Sequence, residues 1–251
     1  MSTVDIQGVT ALVTGANRGI GKALVRELID QGAAKVYATA RSVDKLGDLV
    51  ATASEKIIPL ELDVTNEEQI KAAAEAAGDV LIVINNAGIA GYSAIIAAQD
   101  TSSARQEMEV NYFGVLHMVR AFAPILKQNK GGVFVNISSI GGLVGIPMVG
   151  TYCATKAAVH SLTQSIRGEL AGQETLVIGV YPGSIDTDMA VGMDMEKESP
   201  YVVAQAILDA VENGIESVYP DKVADAIGYL IHTPLKKLEL QWADALPQAG
   251  E

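Results

Sequence analysis

Short runs rich in Val and Ile alternate with longer segments in which apolar residues recur every three or four positions. Nearly all of these short runs are apolar at successive positions, as strands are when helices cover both faces of their sheet. Strands are predicted at residues 9–14, 35–40, 57–62, 80–84, 132–137 and 176–181. Helices are predicted near residues 19–31, 66–77, 102–128, 151–171 and 200–213. This alternation predicts an α/β fold with a doubly wound parallel sheet.

The composition favours one folded domain. Hydrophobic residues make up 49% of the chain and charged residues 19%, which is typical of a globular core and not of a disordered segment. No repeat, low-complexity tract or linker divides the sequence, so we expect a single domain over residues 1–251. One cysteine, Cys153, excludes an internal disulfide framework, and the three histidines lack metal-ligand spacing. We therefore expect no metal.

Charge and hydropathy narrow the possible partners. The net charge of −12 disfavours binding to nucleic acid or to anionic lipid. Two long uncharged stretches, residues 80–98 and 131–155, are each interrupted by polar or glycine-rich runs, which favours buried strands and loops over membrane spans. The first residues contain no apolar signal segment. We expect a cytoplasmic protein with a small-molecule substrate.

A glycine-rich loop follows the first predicted strand and precedes the first predicted helix. It reads Gly15-Ala16-Asn17-Arg18-Gly19-Ile20-Gly21. Glycines let the backbone turn tightly and approach a pyrophosphate, which then lies at the positive end of the helix. The same glycines could serve an ordinary tight turn, so the loop alone does not decide between a nucleotide site and a structural turn.

The residue that selects the cofactor is expected about 20 positions beyond such a loop, at the end of the second strand. Counting from Gly21 leads to Arg41, and Arg18 is a second cation near the same place. Guanidinium groups suit a 2′-phosphate, which they bind with charge-assisted hydrogen bonds. The pattern favours NADP(H) over NAD(H), unless both arginines are ordinary surface residues.

Three polar segments add candidate chemistry. Two of them, Asn85-Asn86-Ala87-Gly88 and Asn136-Ile137-Ser138-Ser139, end predicted strands. The third places Tyr152 and Lys156 four residues apart, on one face of a helix. An apolar series is offset from this pair by roughly 200°, so we expect the pair to point away from the apolar face. The series comprises Ala154, Ala158, Leu162, Ile166 and Leu170.

Together these motifs resemble the short-chain dehydrogenase/reductase family, in its short branch. The matching pieces occur in the family's order between residues 14 and 187, with Ser139 thirteen positions before Tyr152. They are Thr14 to Gly21, Asp63, Asn85 to Gly88, Asn111, Ser139, Tyr152 with Lys156, and Pro182-Gly183-Ser184-Ile185-Asp186-Thr187. The resemblance implies a Rossmann-like fold that binds a nicotinamide cofactor.

The resemblance also implies roles for individual residues. Tyr152 would be the general acid or base, and Lys156 would lower its pKa. Both residues would also bind the cofactor, Lys156 at the nicotinamide ribose. Ser139, or less plausibly its neighbour Ser138, would hydrogen-bond the substrate oxygen, and Asn111 would hold a water molecule beside Lys156. The remaining cofactor contacts would come from Gly15, Asn17, Arg18, Gly19, Ile20, Gly21, Arg41, Asp63, Val64, Asn86, Ala87, Gly88, Pro182, Gly183, Ile185 and Thr187.

The implied function is NADPH-dependent reduction of a ketone or aldehyde to an alcohol. Residues 188–199 are expected to cover the active site. The methionines in this loop, Met189, Met193 and Met195, favour an apolar substrate. Its acidic residues at 194, 196 and 198 disfavour an anionic substrate. The alternatives are an NAD-dependent alcohol or hydroxysteroid-type dehydrogenase working oxidatively, a non-catalytic cofactor sensor, an epimerase or dehydratase, and a hydrolase using Ser139. No Gly-x-Ser-x-Gly motif supports the hydrolase.

The C-terminal part departs from the family pattern. In place of a glycine-rich ending, the chain continues from residues 216–221 into a predicted helical stretch through Leu235, Leu238, Trp242 and Leu246. We expect a homo-oligomer, a dimer or tetramer, although this segment puts the family's usual subunit contacts in doubt.

Overall fold

Seven parallel strands form a single sheet in the computed structural model, which describes residues 3–191, 194 and 196–230. The strands are Thr10–Val13 (β1), Lys35–Ala40 (β2), Ile57–Glu61 (β3), Ile82–Asn85 (β4), Gly132–Ile137 (β5), Thr175–Val180 (β6) and Ser217–Val218 (β7). Their order across the sheet is β3-β2-β1-β4-β5-β6-β7. The six predicted strands are confirmed to within two residues at each end.

Helices connect the strands as the sequence pattern predicts. They are Gly19–Asp30 (α1), Gly47–Val50 (α2), Glu67–Ala76 (α3), Ser102–Met108 (α4), Gly114–Gln128 (α5), Gly150–Leu170 (α6), Pro200–Asn213 (α7) and Lys222–Leu230 (α8). The helix predicted at residues 102–128 is interrupted by a π-helical turn, Glu109–Phe113, between α4 and α5. Such turns are frequent at functional sites. The helix predicted through residues 235–246 lies outside the described residues.

Both faces of the sheet are covered, as the apolar strands require. Alternate residues of β1 point to opposite sides: Ala11 and Val13 pack in a layer with α1 and α7, and Leu12 packs in a layer with α3, α5 and α6. β3 is the exception, because it lies at the edge of the sheet and its Glu61 is exposed. Within the part of the chain described, no helix is long and apolar enough to cross a membrane.

The strand order produces a crevice at the carboxyl ends of the strands, between β1 and β4. The chain runs outward from β1 through β2 to β3, then returns to place β4 on the other side of β1. The loops that follow β1 and β4 therefore leave the sheet in opposite directions, and ligands of open α/β sheets bind at this point. The glycine-rich loop and the Asn85–Gly88 motif both begin here.

Candidate active site

The loop of residues 14–21, called here the phosphate loop, is fixed to the end of β4 by Thr14. The Thr14 hydroxyl donates to the Ile84 carbonyl (3.2 Å) and accepts hydrogen bonds from the backbone N–H groups of Asn86 and Ala87, each at 2.9 Å. The Asn86 amide donates to the carbonyls of Thr14 (2.8 Å) and Gly15 (3.2 Å). The Asn86 side chain therefore holds the start of the phosphate loop against the end of β4.

The glycines of the phosphate loop are required by its shape. Gly15 and Gly19 have φ of +64° and +52°, in the left-handed region that favours glycine. A Cβ on Gly21 would lie 2.3 Å from the Gly15 oxygen and 2.6 Å from Asn86 Nδ2. The side chain of Arg18, at the N-cap of α1, accepts no hydrogen bond from the helix. The first amides of α1 thus lack a side-chain cap beside a close-packed glycine turn, an arrangement that fits a pyrophosphate.

Arg41 and Arg18 occupy different settings around this loop. Arg41 is exposed at the carboxyl end of β2, where it borders a groove shared with Asp63 and the first turn of α3. Arg18 Nη1 lies 3.0 Å from Asp188 Oδ2, and both side chains are mostly exposed. Arg41 is therefore open to an anionic group, whereas Arg18 already has a carboxylate partner that the sequence did not predict.

Asp63 also lines this groove. Its carboxylate accepts hydrogen bonds from the backbone N–H (3.0 Å) and hydroxyl (2.8 Å) of Thr65, and its own N–H donates to Gln69 Oε1 (2.7 Å). Val64 is buried, and its side chain lies against Gly114, where a Cβ would come within 2.7 Å of Val64 Cγ2. The Val64 side chain thus faces the core, and its backbone is the part left for a ligand.

Tyr152 and Lys156 lie near the start of α6, but their orientation differs from the prediction. Lys156 is 5% exposed and lies on the buried face of α6, while Ala154, assigned to the apolar stripe, is exposed. The Lys156 Nζ donates to the Ile137 carbonyl at the end of β5 (2.8 Å) and lies 5.6 Å from the centroid of the Tyr152 ring. A lysine can be buried in this way because its stem is apolar and a carbonyl accepts a hydrogen bond from its ammonium group.

The two serines after β5 have different partners. The Ser138 hydroxyl donates to the Lys156 carbonyl (2.9 Å), which ties β5 to α6. The Ser139 hydroxyl accepts from Gly141 N–H (3.1 Å) and makes a long contact to the Pro182 carbonyl (3.4 Å). Ser138 is thus engaged with the backbone of α6, and Ser139 is the hydroxyl next to the Tyr152 phenol.

Asn111 lies in the π-helical turn and is fully buried. Its Oδ1 accepts from Ile89 N–H (2.9 Å), and its Nδ2 donates to the Ile89 carbonyl and to Thr155 Oγ1, both at 2.9 Å. A Cβ on Gly88 would lie 3.2 Å from Asn111 Oδ1 and 3.6 Å from Lys156 Nζ. The structure therefore brings Asn111, Gly88 and Lys156 together at one point.

Residues 182–187 complete the crevice after β6. Ile185 is buried, and a Cβ on Gly19 would lie 3.0 Å from Thr187 Cγ2, so this segment borders the phosphate loop. The N–H of Gly183 donates to Asp221 Oδ2 (2.7 Å). Asp221 was not predicted; its place directly before a helical pattern is an N-cap signal that could have indicated it.

Comparison with known proteins agrees with this arrangement. The sequence profile described as short chain dehydrogenase matches residues 9–198. The chain belongs to the short-chain dehydrogenase family. It is 32% identical to an oxidoreductase of Botryotinia fuckeliana over 226 residues, which cover 86% of this chain and 81% of that protein.

Solved structures of short-chain dehydrogenases share the whole fold. One from Burkholderia cenocepacia in complex with NADP has a TM-score of 0.91 and 39% identity, covering 97% of this chain and 100% of that one. Another from Burkholderia phymatum in complex with NAD has a TM-score of 0.84 and 26% identity, covering 98% of this chain and 99% of that one. The predicted family and Rossmann-like fold are confirmed, and the chain is an oxidoreductase of a family that binds nicotinamide cofactors.

Burial controls the protonation of this short-chain dehydrogenase's two central groups. Burial raises the pKa of Tyr152, and the neighbouring Ser139 hydroxyl partly opposes the rise. Burial lowers the pKa of Lys156 to about 8. At neutral pH the tyrosine therefore holds its proton and the lysine its charge.

Two further residues of the site were missed by sequence reasoning. Glu107 is buried one helical turn before Asn111, and Tyr92 has a φ of +50° in the loop after β4. Both lie close enough to Tyr152 to raise its pKa. The four-residue spacing of Glu107 and Asn111 was a readable signal, whereas nothing in the sequence marks Tyr92. No cluster of three metal-binding side chains occurs among the described residues.

Proposed function

We propose that this protein reduces a neutral, largely apolar ketone or aldehyde to an alcohol with NADPH, reversibly. The observation that supports the proposal most strongly is the convergence of the Tyr152 phenol, the Ser139 hydroxyl and the buried Lys156 ammonium group at the carboxyl ends of β4 and β5. A bound nicotinamide supplies the hydride in this chemistry. The protein's residues must then orient the carbonyl group and provide its proton.

Tyr152 is proposed as the proton donor. As negative charge develops on the carbonyl oxygen, the phenol gives up its proton, and the Ser139 hydroxyl donates a hydrogen bond to the same oxygen. Lys156 lies beside the phenol ring, and its positive charge stabilises the phenolate that remains. Asn111 keeps the segment next to Lys156 in place and is proposed to hold a water molecule that returns the proton.

The cofactor is proposed to be NADP(H), because Arg41 is exposed at the end of β2 and Arg18 lies at the start of α1. The pyrophosphate would lie on Gly15, Asn17, Gly19, Ile20 and Gly21, and the adenine near Asp63 and Val64. Asn86, Ala87 and Gly88 would line the nucleotide site, and the nicotinamide would lie near Pro182, Gly183, Ile185 and Thr187.

Charge reversal at Arg41 tests the cofactor proposal. Arg41→Asp places a carboxylate where the 2′-phosphate is expected, so the kcat/KM for NADPH should fall and that for NADH should rise. Lys56→Asp is the matched control, because it makes the same charge change at an exposed site at the opposite end of the sheet. A wild-type enzyme whose kcat/KM for NADH equals that for NADPH would contradict the role given to the arginines.

The substrate class is inferred from apolar side chains around the start of α6, the helix that carries Tyr152. Ile95 packs against Gly150 at the start of α6, where a Cβ would lie 2.8 Å from Ile95 Cγ1. Ile95, Ile96 and Met148 are exposed, by 65%, 93% and 58% respectively. An exposed apolar group at the rim of a site favours an apolar ligand.

The loop of residues 188–199 supports this proposal less directly than the sequence suggested. Met189 is described, but Gly192, Met193 and Met195 lie outside the described residues. The Glu198 carboxylate accepts from the Ser199 N–H (2.9 Å) at the start of α7, so it is engaged with the protein itself.

Competition between matched substrates tests the substrate class. An aryl ketone and a keto acid of the same size would be compared by following NADPH absorbance under identical conditions. The kcat/KM should be higher for the neutral ketone. A clear preference for the keto acid would refute the proposed class, and the absence of NADPH oxidation with any carbonyl compound would refute the reaction itself.

A further inference from the structure

Glu107 is a buried carboxylate to which neither the proposed reaction nor cofactor binding assigns a role. Its side chain is fully buried in α4. One oxygen, Oε1, accepts from the Gly91 N–H at 2.6 Å, and the other, Oε2, is buried without a hydrogen-bond partner among the described residues. A half-satisfied buried carboxylate costs stability, so its single bond to Gly91 calls for an explanation.

Glu107 and Asn111 hold the same segment from one helical face. Asn111 binds both backbone groups of Ile89, and Glu107, four residues earlier, binds the N–H of Gly91. Side chains four residues apart lie about 5–6 Å apart on a helix, and residues two apart in an extended chain are separated by roughly 7 Å. The two spacings differ by only about 1–2 Å, so one helical face fastens the segment at two points, Ile89 and Gly91.

The fastened segment continues into Tyr92, which lies near the proposed proton donor, Tyr152. A Cβ on Gly91 would lie 1.9 Å from Ser103 Oγ, so the segment is pressed closely onto α4. The next residue, Tyr92, has a φ of +50°, which is uncommon for a bulky side chain and requires support from its surroundings. Its phenol is near enough to Tyr152 to influence that group's pKa.

We propose that Glu107 is a positioning residue that holds residues 89–92 as one wall of the substrate site beside Tyr152. The inference rests on the proposed function, because it assumes that a carbonyl substrate lies against this wall. Glu107 itself touches neither the substrate nor the cofactor in this account. It acts through the Gly91 N–H and the conformation of Tyr92.

Substitution of Glu107 should separate substrate binding from cofactor binding. Glu107→Ala leaves the Gly91 N–H without its acceptor, so the KM for a ketone should rise by roughly 10-fold or more, while the Kd for NADPH stays within about 2-fold. Glu107→Gln has the same shape and retains an oxygen for Gly91, so it should keep the KM within about 3-fold. Glu109→Ala, an exposed glutamate two residues away, is the matched control and should change neither.

Glu107→Asp guards against a failure of the alanine variant to fold. It keeps a carboxylate but withdraws it by about 1.5 Å, the length of one carbon–carbon bond, so it should raise the ketone KM as Glu107→Ala does. A merely structural role predicts instead that Glu107→Ala and Glu107→Asp lower the stability of the protein without a selective effect on the ketone KM.

Hydrogen exchange of the peptide spanning residues 88–93 provides a readout that needs no activity. Wild type, Glu107→Gln and Glu109→Ala should protect this peptide, and Glu107→Ala and Glu107→Asp should lose protection there selectively. Unchanged protection and an unchanged ketone KM in both Glu107→Ala and Glu107→Asp would overturn the inference. If wild type protects the peptide but reduces no ketone, the proposed function fails, and the exchange data still decide whether Glu107 holds this segment.

Discussion

A methyl group added at Gly21 should abolish tight NADPH binding. Gly21 lies in the first turn of α1, where alanine is compatible with the backbone. The added Cβ, however, would be 2.3 Å from the Gly15 oxygen and 2.6 Å from Asn86 Nδ2. Ordinary contacts of a Cβ begin at 3.4 Å, so the Gly15 carbonyl and the helix must separate by about 1 Å.

The size of the effect follows from this displacement. The amides of the phosphate loop move with the helix. A misplacement of about 1 Å in an active site can lower the rate on the order of 10²-fold, and we expect a loss of the same order in NADPH affinity. Forcing a methyl group into a packed site also costs about 1–3 kcal/mol of stability. For a chain of this length, each kcal/mol lowers Tm by about 2–4 °C.

Gly168→Ala provides the matched control. Gly168 is an exposed residue of α6 with no atom within 4 Å of the added Cβ. Alanine there should stabilise the protein by about 1 kcal/mol through its helix propensity. Thermal melts and NADPH fluorescence titrations of both variants test the reasoning. If Gly21→Ala binds NADPH within about 3-fold of wild type, the close packing of the phosphate loop does not control cofactor binding.

Three further predictions concern charged groups around the site. Asp188→Asn frees Arg18 from an exposed ion pair and should tighten NADPH binding up to about 5-fold, measured by titration, with no gain for NADH. Since burial lowers the pKa of Lys156 to about 8, the rate of ketone reduction should decline above pH 8 as the lysine loses its charge; a rate that stays flat to about pH 10 would contradict this. Asp221→Ala removes the cap of α8 and should cost about 1–2 kcal/mol in chemical denaturation, whereas a loss within error would exclude a capping role.

The fold was predictable because nearly every strand is buried on both faces. Such strands appear in the sequence as continuous apolar runs, and the glycine loop marks where the first strand ends. β3 shows the limit of this reasoning, since its run includes Pro59 and Glu61 and the strand lies at the edge of the sheet, partly exposed. The π-helical turn was not predictable, because residues 109–113 carry an ordinary helical pattern.

The site was predictable where chemistry lies in a local motif. The phosphate loop, Asn86, Ser139, Tyr152 and Lys156 all come from short segments with recognisable spacing. The predicted orientation of Lys156 was wrong, because Ala154, counted in the apolar stripe, is exposed, whereas Lys156 lies on the buried face of α6.

The partners of residues that act across the fold were not predictable. The spacing of Glu107 and Asn111 and the N-cap position of Asp221 were local signals for the residues themselves. Their contacts with Gly91 and Gly183, and the contact of Asp188 with Arg18, are tertiary and leave no local pattern. The single domain over residues 1–251, the cytoplasmic location and the homo-oligomer stay predictions.

Replacement of the proposed proton donor tests the central claim most directly. Tyr152→Phe removes one hydroxyl oxygen, so the variant should bind NADPH as wild type does in a fluorescence titration. Its turnover of a neutral ketone should fall by about 10²–10⁴-fold, the usual contribution of general acid catalysis. Turnover within a few-fold of wild type, with NADPH bound normally, would show that Tyr152 is not the proton donor.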